Sequence, residues 1–288
     1  MNDFTDCWYT TQDGLTLYAR QYAGPATPRL NIVCLHGLTR NSADFADLAG
    51  RLSETDRVLV IEQRGRGRSS YDANPERYAI PVYVDDTIGF IEQQQLAKPV
   101  LVGTSMGGIM AMTMARRAPD KYRGLVLNDV GPVIDPMGLK RIGGNVSKPA
   151  EVRNWADAIA LARANNAAAF PDYGDDDWAE FTRRLFVEDA HGVPTLAYDP
   201  NISGSVNRAP AESAPADPWD SFDMLADVPI LVIRGAHSDI LSAATLDEMA
   251  RRHPQLTAVT VSNRGHAPDL SEPAAQQAID NFLEALAS

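Results

Sequence analysis

The chain has 288 residues, of which 44% are hydrophobic, and its formal net charge is −12. Its length and composition are those of a globular protein with one large domain or two smaller ones. The negative charge argues against a surface for nucleic acid or for an anionic membrane, since both attract positive charge. No apolar stretch approaches the roughly 20 residues of a membrane helix. With no secretory leader at its beginning, and with Cys7 and Cys34 expected as reduced thiols, the chain is predicted to be cytoplasmic.

The first predicted elements form an antiparallel hairpin. Residues 7–11 and 15–22 lie on either side of Asp13-Gly14, which indicates an antiparallel hairpin at the edge of a sheet. Apolar runs rich in β-branched residues follow at 31–35, 57–61, 99–102, 124–127, 229–233 and 257–261. Helical patterns lie between these runs, at 42–52, 82–95, 106–118, 243–253 and 272–287. Because such runs are typical of parallel strands covered by helices, the sequence predicts a mostly parallel, doubly wound, eight-stranded α/β sheet.

This alternation breaks between about residues 135 and 216. The stretch has no convincing strand pattern, but helical patterns occur at 150–165 and 176–189. Ligands of open α/β sheets bind at the carboxyl edge of the strands. We therefore predict an α/β core from residues 1–134 and 217–288, with residues 135–216 inserted as a helical cap over that edge. A helical subdomain without a catalytic role is the alternative.

A serine between two glycines follows the run at 99–102. The segment Gly103-Thr-Ser-Met-Gly107 leads directly into a helical pattern, and a strand–turn–helix of this kind exposes the serine hydroxyl on a strained turn. A serine hydroxyl needs a base to become a good nucleophile. Among the five histidines, His266 is the leading candidate because its loop directly follows the last predicted strand. The sequence thus predicts Ser105 as nucleophile and His266 as base.

Two aspartates are candidates for the acid that orients this histidine. Asp239 follows the run at 229–233, and Asp129 follows the run at 124–127. Both give the chain order Ser, Asp, His, which is one of the known orders of a catalytic triad. We expect Asp239 to be the acid and keep Asp129 as the alternative.

An acyl-transfer site also needs donors for the oxyanion of its tetrahedral intermediate. The backbone N–H of Met106, directly after the nucleophile, is one candidate. The other is the N–H of Leu38, in the turn after the run at 31–35, where Gly37 permits a close backbone approach. Four residues are candidates for contact with substrate, two in this turn, one just beyond it and one in the predicted cap: His36, Gly37, Arg40 and Trp178. Of these, Arg40 has the charge to bind a substrate carboxylate.

Two further patterns are discounted as cofactor or metal sites. The run Arg64-Gly-Arg-Gly-Arg68 lacks the Gly-Lys-Ser/Thr of a phosphate loop and the glycine spacing of a dinucleotide site. The acidic residues at 172 and 175–177 lack the spacing of an EF-hand. The sequence predicts neither a cofactor nor a metal.

Several ordered motifs together resemble the α/β-hydrolase superfamily over nearly the whole chain. They are His36-Gly37 after the third strand, residues 63–69 after the fourth, the Ser105 turn after the fifth, Asp239 after the seventh and Gly265-His266 after the eighth. The resemblance implies a cofactor-free, capped hydrolase, similar to esterases, lipases and carbon–carbon-bond hydrolases. It also implies the roles of nucleophile, acid and base for Ser105, Asp239 and His266. A serine nucleophile argues against the relatives that use Asp or Cys, namely haloalkane dehalogenases, epoxide hydrolases and dienelactone hydrolases.

The expected activity is cleavage of a carboxylic ester of a small to medium apolar substrate through an acyl-enzyme. Two alternatives stay open. One is hydrolysis of a carbon–carbon bond in diketone-type products of aromatic degradation, and the other is a ligand receptor without catalysis. The expected partner is a small ester-like molecule, and the sequence leaves open whether the chain is a monomer or a homo-oligomer.

Overall fold

Ten strands and ten α-helices form the regular structure of residues 4–146, 151–206 and 217–288, the part of the chain that this computed structural model describes. The strands are β1 (Phe4–Thr10), β2 (Thr16–Tyr22), β3 (Asn31–Leu35), β4 (Arg57–Glu62), β5 (Val100–Thr104), β6 (Gly124–Asn128), β7 (Phe186–Glu188), β8 (Pro194–Leu196), β9 (Ile230–Gly235) and β10 (Leu256–Val261). The helices are α1 (Ala46–Leu52), α2 (Ile80–Gln93), α3 (Met106–Arg117), α4 (Pro136–Val146), α5 (Trp155–Asn166), α6 (Asp175–Leu185), α7 (Ser203–Val206), α8 (Pro218–Asp223), α9 (Ala243–Arg252) and α10 (Pro273–Ala287).

Eight of the strands form one sheet, in the order β1-β2-β4-β3-β5-β6-β9-β10. Strand β2 is antiparallel to both β1 and β4, and all other neighbours are parallel. The predicted α/β sheet, with a hairpin at its edge, is therefore confirmed. The six predicted apolar runs match strands of this sheet to within two residues at each end.

The central strands are buried on both faces, which is why they are continuously apolar in sequence. In β3, Val33 and Leu35 pack on one side of the sheet, in the same cluster as Met110 of α3. Cys34 packs on the opposite side, in the same cluster as Phe282 of α10. Cys34 is thus the buried core residue that the sequence predicts, and burial raises the pKa of its thiol.

The regular alternation stops between β6 and β9, and residues 135–146 and 151–206 of this stretch are called the insertion below. Helices α5 and α6 match the predicted helices at 150–165 and 176–189, although residue 150 and the predicted cap end, 207–216, lie outside the described residues. The sequence does not predict α4 or the antiparallel hairpin of β7 and β8. Each hairpin strand has three residues, too few for a recognisable alternating pattern.

The turn after β4 is fixed by a buried arginine. The Arg64 side chain is 1% exposed and pairs with the carboxylates of Asp86, Asp72 and Asp13, at 2.7, 2.5 and 2.9 Å. Asp86 lies on α2 and Asp13 in the β1–β2 turn, so this guanidinium joins the edge hairpin to the sheet and its covering helix. Burial raises the pKa of Asp86, although its bonds to Arg64 act in the opposite direction.

We expect Arg64→Met to lower the free energy of unfolding by about 3–5 kcal/mol, because buried carboxylates would be left without the cation that pairs with them. Urea denaturation measures the change. The matched control is Arg68→Met, which removes a half-exposed guanidinium paired with Asp6 and should cost about 1 kcal/mol or less. Equal losses in the two variants would contradict a stabilising role for the Arg64 network.

Within the described residues, no helix has both the length and the apolar character needed to cross a lipid bilayer.

Candidate active site

Ser105 occupies the sharp turn between β5 and α3. Its backbone has φ 52° and ψ −113°, a conformation that non-glycine residues rarely adopt. The flanking glycines are required by space. A Cβ on Gly103 would lie 2.4 Å from the Gly107 carbonyl, and one on Gly107 would lie 2.0 Å from the Leu35 carbonyl oxygen. The turn therefore keeps both glycines and projects the Ser105 hydroxyl away from the sheet.

A chain of hydrogen bonds links Ser105 to a histidine and a carboxylate. Ser105 Oγ lies 2.8 Å from His266 Nε2, and His266 Nδ1 lies 2.8 Å from Asp129 Oδ2. The Asp129 side chain is fully buried and also accepts hydrogen bonds from the Gly235 N–H at 2.8 Å and the Ser238 hydroxyl at 2.6 Å. The arrangement holds the imidazole with one nitrogen on the carboxylate and the other on the hydroxyl, as a serine nucleophile needs.

Asp239 interacts electrostatically with His266 but forms no hydrogen bond with it, and Asp129 holds the imidazole instead, so the expectation that Asp239 orients the histidine is wrong. Its carboxylate is paired in a bidentate manner with Arg141 of α4, at 2.5 and 2.8 Å, and its side chain is 39% exposed. The hydrogen bonds to Arg141 lower the pKa of Asp239. The acid in contact with His266 is Asp129, the alternative named from the sequence.

Both predicted oxyanion donors lie beside the nucleophile. Leu38 is in the turn after β3, where a Cβ on Gly37 would be 4.0 Å from Ser105 Cβ, and Met106 is the first residue of α3. Fully buried Arg66 contacts both residues, since its Nε donates to the Leu38 carbonyl at 2.9 Å and its Nη2 lies 3.7 Å from Met106 Sδ. Among the described residues, neither the Leu38 nor the Met106 N–H has an assigned acceptor. Neither N–H is therefore engaged by another part of the described chain.

His36, a predicted substrate contact, is instead a buried structural residue. Its Nδ1–H donates to the Gly37 carbonyl at 2.7 Å, and its Nε2 accepts from the Gln63 N–H at 3.0 Å. It thus joins the turn after β3 to the end of β4. Burial lowers the pKa of His36 to about 4, and the nearby Arg66 cation acts in the same direction.

This burial predicts an acid-sensitive fold. An unfolded histidine has a pKa of about 6.5, so between about pH 6.5 and pH 4 the unfolded chain binds a proton at His36 that the folded chain does not. Stability should therefore fall as the pH drops through this window, by about 3 kcal/mol in total from His36. Urea denaturation at several pH values measures the slope. His36→Gln should flatten it, whereas His191→Gln, at an exposed site, serves as the control. An unchanged slope in His36→Gln would contradict the prediction.

The other predicted substrate contacts have different surroundings. Gly37 and Arg40 line the cavity beside Ser105. The Arg40 guanidinium is already engaged, because it pairs with Asp44 in a bidentate manner and stacks 4.5 Å from the centre of the Phe181 ring. Trp178 is 2% exposed and packs within the aromatic core of the insertion instead of lining the cavity. The prediction of Trp178 as a substrate contact is therefore wrong.

The cavity at the nucleophile has a volume of about 460 Å³ and is walled by the sheet edge on one side and the insertion on the other. The insertion contributes apolar and aromatic side chains together with two arginines, Arg141 and Arg184. The sequence analysis missed both arginines. Helical spacing is the sequence signal that could have identified them. On α4, Arg141 and Asn145 line the cavity four residues apart, and on α6, Phe181 and Arg184 line it three residues apart.

The insertion is also bonded to the loop that carries His266. The Gly265 N–H donates to the Ala169 carbonyl at 2.8 Å, and the Tyr173 hydroxyl donates to Asp269 at 2.6 Å. These contacts lie on either side of His266 in sequence. The position of the imidazole therefore depends on both the sheet and the insertion.

Within the described ranges, no three His, Cys, Asp or Glu side chains are grouped so that they would hold a metal ion.

Comparison with known proteins agrees with the fold. The model of the alpha/beta hydrolase family matches residues 32–278. A 3-hydroxybutyrate-oligomer hydrolase from Cupriavidus necator is 34% identical over 260 residues, covering 88% of each chain. A 2-(acetamidomethylene)succinate hydrolase from Mesorhizobium japonicum is 30% identical, covering 87% of this chain and 86% of its own. Among solved structures, that of an alpha/beta hydrolase from Novosphingobium aromaticivorans matches with a TM-score of 0.92 at 39% identity, covering 99% of both chains.

Proposed function

The chain belongs to the alpha/beta hydrolase family. From this premise we propose that it is a serine hydrolase that cleaves a carboxylic ester through an acyl-enzyme. We also propose that residues 135–216 act as the cap of its pocket. Ser105 is the nucleophile, His266 the base and Asp129 the residue that orients the base. The backbone N–H groups of Leu38 and Met106 hold the oxyanion.

The observation that carries this proposal is the continuous hydrogen-bonded chain from Ser105 through His266 to a fully buried Asp129, at the wall of a cavity. In the first half-reaction, Ser105 Oγ attacks the ester carbonyl carbon while His266 Nε2 takes its proton. The alcohol then leaves with that proton. In the second half, a water molecule gives a proton to His266 and attacks the acyl group, which releases the acid and restores Ser105.

The choice of an ester is supported by the relatives. Oligomers of a hydroxy acid are joined by ester bonds, and the 34% identical relative is named for hydrolysis of 3-hydroxybutyrate oligomers. An apolar substrate has less support than the sequence suggests, because three arginines, Arg40, Arg141 and Arg184, line the cavity.

An active-site probe tests the proposal directly. A fluorophosphonate should label the wild-type protein, and Ser105→Ala, folded by circular dichroism, should stay unlabelled. Short p-nitrophenyl esters should be hydrolysed, whereas a vinylogous β-diketone should not. Cleavage of the diketone alone would favour the carbon–carbon-bond hydrolase. A folded wild-type protein that neither reacts with the probe nor cleaves either compound would instead favour a ligand receptor.

A further inference from the structure

The three arginines of the cavity differ in how their charges are balanced. Arg40 and Arg141 each form two hydrogen bonds from Nε and Nη2 to one carboxylate, that of Asp44 or Asp239. In each of these two arginines, the guanidinium fork, meaning the Nε and Nη2 donors on one edge of the group, is therefore already bound to a carboxylate. Neither of these two arginines needs a ligand to balance its charge.

Arg184 presents the same fork without a matching carboxylate. Its side chain is 18% exposed, and its Nε is buried and has no hydrogen-bond partner among the described residues. Its Nη2 lies 3.1 Å from one oxygen of Glu180, a side chain that is 68% exposed and thus free to turn into solvent. A buried donor without an acceptor is unfavourable, so a ligand that supplies the acceptor gains from this site.

Arg184 belongs to the wall of the cavity that holds the nucleophile. Arg184 lies in the last turn of α6 and lines the same cavity as Ser105 and His266. Its backbone carbonyl accepts a hydrogen bond at 2.8 Å from Asn41, in the segment just after the turn that carries Leu38. The Asp269 carboxylate also lines the cavity and interacts electrostatically with Arg184, but it already accepts hydrogen bonds from Tyr173 and Ser271. A carboxylate from outside is the group that the Arg184 fork still lacks.

We propose that the pocket recognises an ester that bears a free carboxylate, and that Arg184 binds this carboxylate through Nε and Nη2, displacing Glu180. The inference rests on the proposed ester hydrolysis and specifies its substrate class. A planar guanidinium fork matches the two oxygens of a carboxylate. The side chain of Arg184 is only 18% exposed, and such partial burial strengthens a charged pair. Arg184 is then a specificity-determining residue that leaves the chemical step to Ser105 and His266.

Paired substrates test the proposal. One pair carries the charge on the acyl side, namely the mono-4-nitrophenyl ester of adipic acid and the analogue with a primary amide in place of the free carboxylate. The other carries it on the alcohol side, namely 3-acetoxybutanoate and its primary amide. For at least one pair we expect kcat/KM of the wild type to favour the anion by about tenfold or more, since losing one charged contact typically changes binding by that factor. The pair that shows the preference identifies the side of the ester that faces Arg184.

The decisive variant is Arg184→Met, which keeps the length of the side chain and removes its charge. It should abolish the preference for the anion, so that the kcat/KM of the variant for the anion falls to about its own kcat/KM for the amide. Arg183→Met removes the same charge from the exposed neighbour, whose guanidinium stacks on Trp155, and should keep the preference. A wild type without preference in either pair, or an Arg184→Met variant that retains it, would overturn the inference.

These outcomes separate the inference from the proposed function. Cleavage of the ester bond in the neutral, amide-bearing analogues and labelling of Ser105 by a fluorophosphonate both report on the proposed ester hydrolase activity itself. Equal rates for the two members in both pairs would overturn the carboxylate site and leave the proposed hydrolase activity intact. Absence of cleavage together with absence of labelling would overturn both.

Discussion

Asp129→Asn is expected to lower kcat for ester hydrolysis by about 10⁴-fold, because the same change at the acid of a serine triad has an effect of that size. The amide would occupy nearly the same volume, but it offers an N–H or a neutral oxygen where His266 Nδ1 now meets a carboxylate. The imidazole would then lose both the tautomer that leaves Nε2 free to accept a proton and the stabilisation of its charged form. Single-turnover kinetics with a p-nitrophenyl ester measure the loss.

The matched control is Asp239→Asn. Asp239 comes after β9, as Asp129 comes after β6, but its partner is Arg141. We expect its kcat to stay within about tenfold of the wild type, since the substitution leaves the hydrogen bonds of Asp129 and His266 in place. If Asp239→Asn were the inactive variant and Asp129→Asn the active one, the assignment of the acid would be reversed.

Ser105→Ala should lower kcat by about 10⁴-fold or more, an effect at least as large as that of Asp129→Asn. The reason is that the Ser105 hydroxyl is the group at the end of the hydrogen-bonded chain. The residual rate would come from the oxyanion donors and from binding alone. The assay should follow release of the acid product over hours, so that slow turnover is distinguished from contamination.

Ser238→Ala is the control for the loss of a hydroxyl in the same network. Ser238 donates to Asp129 Oδ2 and is not among the residues that line the cavity, so its loss should cost much less than that of Ser105. A Ser105→Ala variant with near wild-type turnover would contradict a covalent mechanism through this residue.

The sheet could be predicted because its information is local. Each central strand, such as β3, carries its own apolar run, and each run is buried on both faces. Ser105 could be identified for a related reason: the glycines that its turn requires stand two residues away on either side. His266 followed from its place after the last strand. Close-range patterns therefore predicted most of the fold and two of the three residues in the hydrogen-bonded chain.

The sequence could not show that Asp129 and not Asp239 is the acid beside His266, because the surroundings of Asp129 are assembled from distant segments of the chain. Asp129 is held by Gly235 and Ser238, which lie more than 100 positions further along the chain. Asp239 fits the same chain order, and only the course of the backbone after β9 decides which carboxylate faces the imidazole. That course brings Ser238 to Asp129 and turns Asp239 to Arg141.

Helix α4 was missed because its sequence opposes helix formation. It contains three glycines, each of which costs about 1 kcal/mol relative to alanine in a helix. Packing explains one of them, since a Cβ on Gly138 would lie 2.1 Å from the Asp239 carbonyl oxygen. Tertiary contact thus favours a helix that local propensity does not, and with it Arg141 reaches the cavity.

The bonds between the insertion and the His266 loop have a kinetic consequence. Because Gly265 and Asp269 are tied to Ala169 and Tyr173, the insertion cannot swing away as an independent lid without pulling on the segment that carries the imidazole. A substrate long enough to press the insertion into place would align the proton acceptor as it binds. Part of its binding energy would then appear as a faster chemical step, so shortening the substrate should reduce kcat and not merely raise KM.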